Sequence, residues 1–187
     1  MDGVSVFVIT GGRGSGKSHA VEVDADTRAS EYGHKVYYTR FTNDSLEDTV
    51  IADFKGIFKQ YSLPRTMQNT RVLYDSGGLI KFKGLKRSSN AQTAGGKGLS
   101  TFNSQVIEEA EEHPSLKEFN TMRLSLRRKD LPNYSVLLLN PTTKEHWIYE
   151  EFFESRGVKE GFNGIVDDVC YIHTTYLDVP KEFHYGS

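Results

Sequence analysis

Gly11-Gly12-Arg13-Gly14-Ser15-Gly16-Lys17-Ser18 has the G-x-x-x-x-G-K-S spacing of a loop that holds phosphate. Glycines let successive backbone N–H groups turn inward as an anion-binding nest, and a helix beginning at the lysine adds partial positive charge from its N-terminus. In that geometry Lys17 reaches the β and γ phosphates of a nucleoside triphosphate, and the Ser18 hydroxyl ligates Mg2+. The motif carries this meaning only between a strand and a helix, and the flanking sequence predicts both.

A second group is acidic. Glu108 and Glu109 directly follow a predicted strand over residues 102–107, and neighbouring positions at a strand end allow one carboxylate to face metal and the other to face water. We assign Glu108 to hold Mg2+ through its water shell, and Glu109 to orient and deprotonate the water that attacks the γ phosphate. The alternative is a solvated acidic helix start, because Glu111 and Glu112 continue the run and anions favour helix N-termini. Asn140 ends an apolar strand before Pro141, where its amide can face the same crevice as Lys17 and Glu109 and sense the γ phosphate. An Asn-Pro turn that ends a strand explains that pair equally well. Asp75-Ser76-Gly77-Gly78 fits the acid-x-x-glycine pattern of GTPases, but without an asparagine-lysine-x-aspartate guanine reader it reads as a hairpin turn. The six histidines show no metal-ligand spacing with Cys170 or with one another, and Trp147 is most simply a core residue.

The elements that must position these residues can be read from periodicity. Residues 4–10 (VSVFVIT) form a β-branched apolar run suited to a strand buried on both faces. Val21, Ala25, Ala29 and Tyr32 recur at helical spacing over residues 18–32, and Gly33 supplies a left-handed stop. Residues 35–41 read as strand. Ser45 and Asp48 form a capping-box pattern ahead of Leu46, Val50, Phe54, Ile57, Phe58 and Tyr61 on one helical face. Two short strands between residues 70 and 84 flank the turn at Asp75, and residues 91–100 (AQTAGGKGLS) read as a mobile loop. A helix near Pro114 turns Leu116, Phe119, Met122 and Leu126 inward. A strand over residues 135–139, a helix carrying Trp147, Ile148 and Phe152, and a last strand over residues 169–173 complete the series. Alternating strand and helix predicts an α/β fold, a mostly parallel central sheet with helices on both faces.

Composition limits the rest. The 187 residues suit one α/β domain, and 37% hydrophobic with 12% aromatic content argues for a packed core. One cysteine cannot form an internal disulfide, no apolar run approaches the length of a membrane span, and Met1-Asp2-Gly3 lacks the basic start of a signal peptide, so an intracellular setting without a membrane role fits. The net charge of −2 is unusual for a chain that grips nucleic acid unaided, but it is unevenly spread. Lys81, Lys83, Lys86, Arg87 and Lys97 fall in one stretch without an acid, which reads equally as a solvated surface or as a phosphate-contacting segment.

The phosphate loop, Glu108-Glu109-Ala110 and Leu137-Leu138-Leu139-Asn140-Pro141 together resemble the ATPase domain of the large terminase subunit of tailed bacteriophages. The likeness spans nearly the whole chain. It includes Arg13 inside the loop, Tyr38-Thr39-Arg40, Phe82-Lys83-Gly84-Leu85, Val106-Ile107 ahead of the acids, Trp147-Ile148-Tyr149 and Thr174-Thr175-Tyr176-Leu177-Asp178. The resemblance implies a P-loop NTPase of the additional-strand, catalytic-glutamate type, with ATP and Mg2+, driving double-stranded viral DNA into a capsid. The implied partners are the portal protein, the small terminase subunit and further copies of the chain in a homo-oligomeric ring on the portal, in the host cell cytoplasm. It further implies that Arg13 and Asn140 couple hydrolysis to movement, and that an arginine in trans, with Arg123, Arg127 and Arg128 as candidates, completes a neighbour's site. Three departures stand out: little sequence precedes Gly11 where the family has an adenine-contacting segment, the chain ends soon after Asp178 where a metal-dependent nuclease domain would follow, and Glu108 replaces a common aspartate. An excised ATPase domain without nuclease activity is therefore expected. Rival readings are a nucleotide or small-molecule kinase, which would need an acceptor site, and a non-catalytic nucleotide-gated binding module.

Overall fold

The computed structural model describes residues 3–42, 46–61, 64–86, 98–113, 115–140 and 143–180. Ser45, Arg87, Lys97, Pro114, Pro141 and most of the glycine-rich stretch 91–100 lie outside the described residues. In chain order the elements are β1 (Val6–Gly11), α1 (Lys17–Tyr32), β2 (Lys35–Thr42), a π-helical stretch Leu46–Ile51 running into α2 (Ala52–Gln60), β3 (Arg65–Gln68), β4 (Arg71–Tyr74) and β5 (Leu79–Lys86). After them come β6 (Ser104–Ile107), a 3-10 turn Ala110–Glu112, α3 (Leu116–Arg123) and β7 (Tyr134–Leu139). The last are α4 (Trp147–Tyr149), which widens into the π-helical Glu150–Glu154, then β8 (Gly164–Val166) and β9 (Val169–Thr174).

Among the described residues nine strands form one sheet in the order β3-β4-β5-β2-β6-β7-β1-β9-β8. The six from β5 to β9 run parallel, and antiparallel strands close both edges. The mostly parallel sheet agrees with the sequence, whereas β3 and β8 are additions to it. Strand β7 lies between β1 and β6, so the phosphate loop and the glutamate pair hang from strands separated by one other.

Alternation along the central strands divides the core in two. Val6 and Val8 of β1, Ile107, Leu137, Leu139 and Tyr171 turn to the face covered by Phe119 and Met122 of α3 and by Ile148 and Phe152. Ile9, Val36, Tyr38, Val106, Val136 and Leu138 turn to the other face, under Val21, Ala25 and Ala29 of α1 and Phe54 of α2. Central strands must therefore be apolar at nearly every position. Trp147 is a core residue of the first face, its indole donating to the His113 carbonyl (2.7 Å) and packing beside Phe119 and Phe152.

Helix α1 stops where Gly33 takes a left-handed φ of 66° and returns its N–H to the Arg28 carbonyl. That end is clamped to the β4–β5 turn. Ser76 donates to the Ala29 carbonyl (2.7 Å), Gly77 supplies the positive φ of the turn (83°), and Gly78 lies so close that a Cβ there would sit 2.0 Å from Ala29 O. A little further along, Tyr74 donates to the buried Asp26 of α1 (2.6 Å) and Arg65 pairs with the same carboxylate (3.2 Å), which ties β3 and β4 to the helix.

This close approach yields a prediction. Gly78→Ala should lower stability by about 2–4 kcal/mol, because backbone rather than a flexible side chain must move. A thermal melt should show a drop of roughly 5–15 °C. A change within a degree or two would show that the clamp is not tight.

Candidate active site

Phosphate-loop geometry begins at the end of β1. Gly11 has no room for a side chain, since a Cβ would meet the Thr174 carbonyl at 2.4 Å and the Ser15 hydroxyl at 2.7 Å. Gly14 (φ 73°) and Gly16 (φ 76°) take left-handed conformations that other residues rarely adopt. Ser15 is buried and accepts a hydrogen bond from Thr174 at the end of β9 (2.9 Å), so the adjacent strand braces the loop. The Gly12 carbonyl accepts from Ser15 N (3.4 Å), and α1 opens with Lys17 directly after Gly16.

The Lys17 ammonium donates to the Asn140 Oδ1 (3.0 Å) and the Gly12 carbonyl (3.3 Å). Asn140, just past β7, donates its amide N–H to Glu111 (2.7 Å). A chain Lys17–Asn140–Glu111 thus crosses the cleft. Burial lowers the Lys17 pKa, opposed by the negative charges of Glu111, Glu108 and Glu109.

Glu108 and Glu109 point apart, and Glu109 has left-handed backbone (φ 51°, ψ 50°), a conformation uncommon for a non-glycine residue and often found where function requires it. Glu108 turns to the start of α1, where the Ser18 hydroxyl hydrogen-bonds its carboxylate while Oε2 remains buried without a partner. Burial pushes its pKa up, and the Ser18 hydrogen bond and Arg40 pull it down. One turn below Ser18, Glu22 is 1% exposed, and burial beside Glu108 and Asp53 pushes its pKa to about 9. Glu109 turns the other way. Both its oxygens are held by the Arg40 guanidinium, Nε at 2.9 Å and the second nitrogen closing a forked ion pair. Arg40, from the end of β2, also donates to Thr49.

Arg13, Gly14, Lys17, Ser18, Glu108, Glu109 and Asn140 line one cleft of about 170 Å³ at the carboxyl ends of the parallel strands. The structure therefore brings together the residues picked from the sequence. It adds two to which the sequence reading gave no role: Arg40, noted there only within the Tyr38-Thr39-Arg40 strand end, and Glu111, noted only as part of an acidic run. Arg13 is exposed at the rim. The trans-arginine candidates lie elsewhere. Arg123 pairs with Asp168 and Ser5, Arg128 bonds the Gly33 carbonyl, Asn103 and Asp130, and Arg127 is exposed and donates to the Leu124 carbonyl. Ser5 and Asn103 precede β1 and β6, so Arg123 and Arg128 sit at the opposite edge of the sheet from the cleft.

The donor set fits Mg2+. A hydroxyl and a carboxylate with an unsatisfied buried oxygen face each other, both hard oxygen ligands. Among the described residues no group of three His, Cys, Asp or Glu forms a metal cluster. Ser18 and Glu108 would hold the ion jointly with phosphate oxygens, the usual arrangement for Mg2+ at a nucleotide.

Fold and cleft define a P-loop α/β nucleotide-binding protein with a strand inserted between its loop strand and its acidic strand. Residues 4–183 match the phage terminase large subunit family, and the chain belongs to that family. No curated protein sequence matches it. Among solved structures it is similar to the large terminase of a thermophilic bacteriophage (15% identity, 97% of this chain and 44% of that one, TM-score 0.69), which has also been solved in complex with ADP. It is likewise similar to the large terminase ATPase domain of Thermus phage P74-26 (21%, 90% of this chain and 74% of that one, TM-score 0.61). A third similar structure is the N-terminal domain of the DNA packaging ATPase of bacteriophage phi29 (15%, 98% and 93%, TM-score 0.63). The chain thus spans less than half of the first of these proteins.

The loop geometry makes its own prediction. Gly11→Ala should lower the melting temperature and weaken binding of a fluorescent ATP analogue at least about tenfold, because the added carbon collides with the Thr174 backbone and the Ser15 hydroxyl. Unchanged binding would show that the loop tolerates displacement from β9.

Proposed function

We propose that residues 1–187 act as one Mg2+-dependent ATPase unit of a terminase large subunit, driving double-stranded viral DNA into a capsid. The observation that carries this reading is the single cleft in which the Lys17 ammonium, the Ser18–Glu108 pair, Asn140 and Glu109 face one another. Family membership supports it, as does the likeness to a large terminase solved with ADP and to the phi29 DNA packaging ATPase. The same reading assigns as partners the portal protein, the small terminase subunit and a homo-oligomeric ring, in the host cell cytoplasm.

Backbone N–H groups of Gly12, Arg13, Gly14, Ser15 and Gly16, with those opening α1, receive the phosphates, and Gly11 lets the loop seat against β9. Lys17 leaves Asn140 and Gly12 for the β and γ oxygens, a favourable exchange because its present partners are neutral. Asn140, released from Lys17 yet still bonded to Glu111, is left with a free amide oxygen and reports the γ position. When bound, Mg2+ at Ser18 and Glu108 neutralises charge on the β and γ oxygens.

Glu109 accepts the proton of the attacking water. It cannot do so well while both oxygens accept from Arg40, since the forked guanidinium occupies the positions from which the carboxylate would meet the water. The Arg40–Glu109 pair thus represents a restrained state, and productive turnover requires its rearrangement. Arg13, exposed at the rim, compensates charge spreading over the γ phosphate, and an arginine from a neighbouring subunit would add to it.

Three measurements test the reading. Lys17→Ala should abolish release of free phosphate from ATP with no acceptor added, while melting stays near wild type. Glu109→Gln should retain ATP binding yet lose turnover by about 10²–10⁴-fold, whereas Glu108→Gln should chiefly raise the Mg2+ concentration needed. An exchange of the two glutamate phenotypes would reverse their roles, and phosphate release only with an added acceptor would favour a kinase.

Arg40→Ala should raise basal turnover several-fold at saturating ATP, and Arg40→Lys should do so less. A rate that falls instead would mean the ion pair positions Glu109 for catalysis.

Turnover per chain should also climb with protein concentration, because a trans-acting arginine contributes on the order of 10³–10⁵ in related systems. A fast, concentration-independent rate lost on Arg13→Ala would place the arginine function in cis.

A further inference from the structure

The β3-β4-β5 end of the sheet has two unlike faces. One carries Val72, Tyr74, Ile80 and Phe82, all buried under α1 and α2. The other is basic. Arg71 of β4 stands directly opposite Lys81 of β5, with Tyr37 of β2 next in the same row. Lys83 lies two residues along β5 from Lys81, about 6.8 Å away by strand geometry, on the same face. In the adjoining row Lys35 follows Leu79. Arg71 is exposed, and Lys35, Lys81 and Lys83 are half-buried.

No carboxylate occupies these rows. None of the ion pairs among the described residues uses Lys35, Arg71 or Lys81. Like charges directly opposite each other across a sheet are destabilising, so the Arg71–Lys81 pairing costs the isolated fold something that an acidic residue at either place would return. A polyanion laid across the face would offset that cost. The row neighbours Gln68 and Thr66 add uncharged hydrogen-bonding side chains.

We infer that this face docks the phosphate backbone of double-stranded DNA, resting on the reading of the chain as a packaging ATPase. The chemistry suits backbone contact and not base reading. Lysines and an arginine on a sheet face neutralise phosphates along a strand, while among the described residues no helix projects from these rows to enter a groove. Binding is accordingly indifferent to sequence, which suits a motor that must pass every sequence of a genome. None of these cations lines the cleft, so they serve DNA and not the nucleotide.

The test measures anisotropy of a short labelled duplex with the full chain, from roughly 50 to 200 mM salt. The triple variant Arg71→Ala/Lys81→Ala/Lys83→Ala should bind about tenfold or more weakly at the low-salt end, and its plot of log affinity against log salt should be flatter by about 2 to 3. Basal ATP turnover should match wild type, melting should stay at or slightly above it because the like-charge pair is gone, and Arg71→Lys/Lys81→Arg/Lys83→Arg should restore binding. Removing three cations elsewhere, Lys55→Ala/Lys59→Ala/Lys117→Ala, should leave affinity and slope unchanged, and two duplexes of unrelated sequence should bind equally. Wild-type affinity and slope in the alanine triple, or an equal loss in the control triple, would overturn the face and leave the packaging reading standing. Loss of self-association with DNA binding intact would also overturn it, making the face a contact between subunits. A wild-type chain that binds no duplex even at low salt would defeat both the face and the DNA reading.

Discussion

The site is built around an imbalance of charge. Glu22, Glu108, Glu109 and Glu111 converge on the start of α1 and the ends of β6 and β7, and the cations set against them are Lys17 and Arg40, with Arg13 at the rim. An arrangement so rich in carboxylates is a poor receptor for a polyphosphate unless its charges are separately managed. The protein does this by assignment. Burial pushes the Glu22 pKa up and so favours its neutral form, Glu109 is tied to Arg40, Glu111 is spent on the Asn140 amide, and Glu108 keeps a buried oxygen without a partner beside the Ser18 hydroxyl. A divalent cation beside Ser18 is the natural complement to that remaining carboxylate.

Parallel strands make the assignment possible. Strands β1, β2, β6, β7 and β9 all end at one edge, so groups distant in sequence meet there: Lys17 with Asn140, Arg40 with Glu109, Ser15 with Thr174. The left-handed backbone at Glu109 accompanies the seating of its carboxylate on Arg40.

This logic explains what could be read in the sequence. The phosphate loop, Glu108, Glu109 and Asn140 were visible because their chemistry is written in contiguous residues at strand ends, and the parallel strands because β1 and β7 are apolar nearly throughout and the others carry apolar residues on at least one face. Arg40 and Glu111 were not assigned roles, because their significance lies in pairings 69 and 29 residues distant. The edge strands β3 (RTMQ) and β8 (GIV) are too short and too weakly patterned to announce themselves, being held by neighbours and by the Asp26–Arg65 pair. The basic stretch was ambiguous because its linear spacing hides the cross-strand register, which sets Lys81 beside Arg71.

Helix α1 joins these parts in a way that a list of contacts does not convey. Its first turn is the floor of the phosphate loop, and its last turn is pinned at Ala29 and Gly33 to the β4–β5 turn, at the basic end of the sheet. Over 16 residues it spans ~24 Å. A helix fixed at both ends is stiff along its axis, and side-chain packing along Val21, Ala25 and Ala29 keeps it from buckling. It behaves as a strut: a push or rotation at the nucleotide end is delivered to the far end of the sheet with little loss, as a connecting rod transmits a stroke.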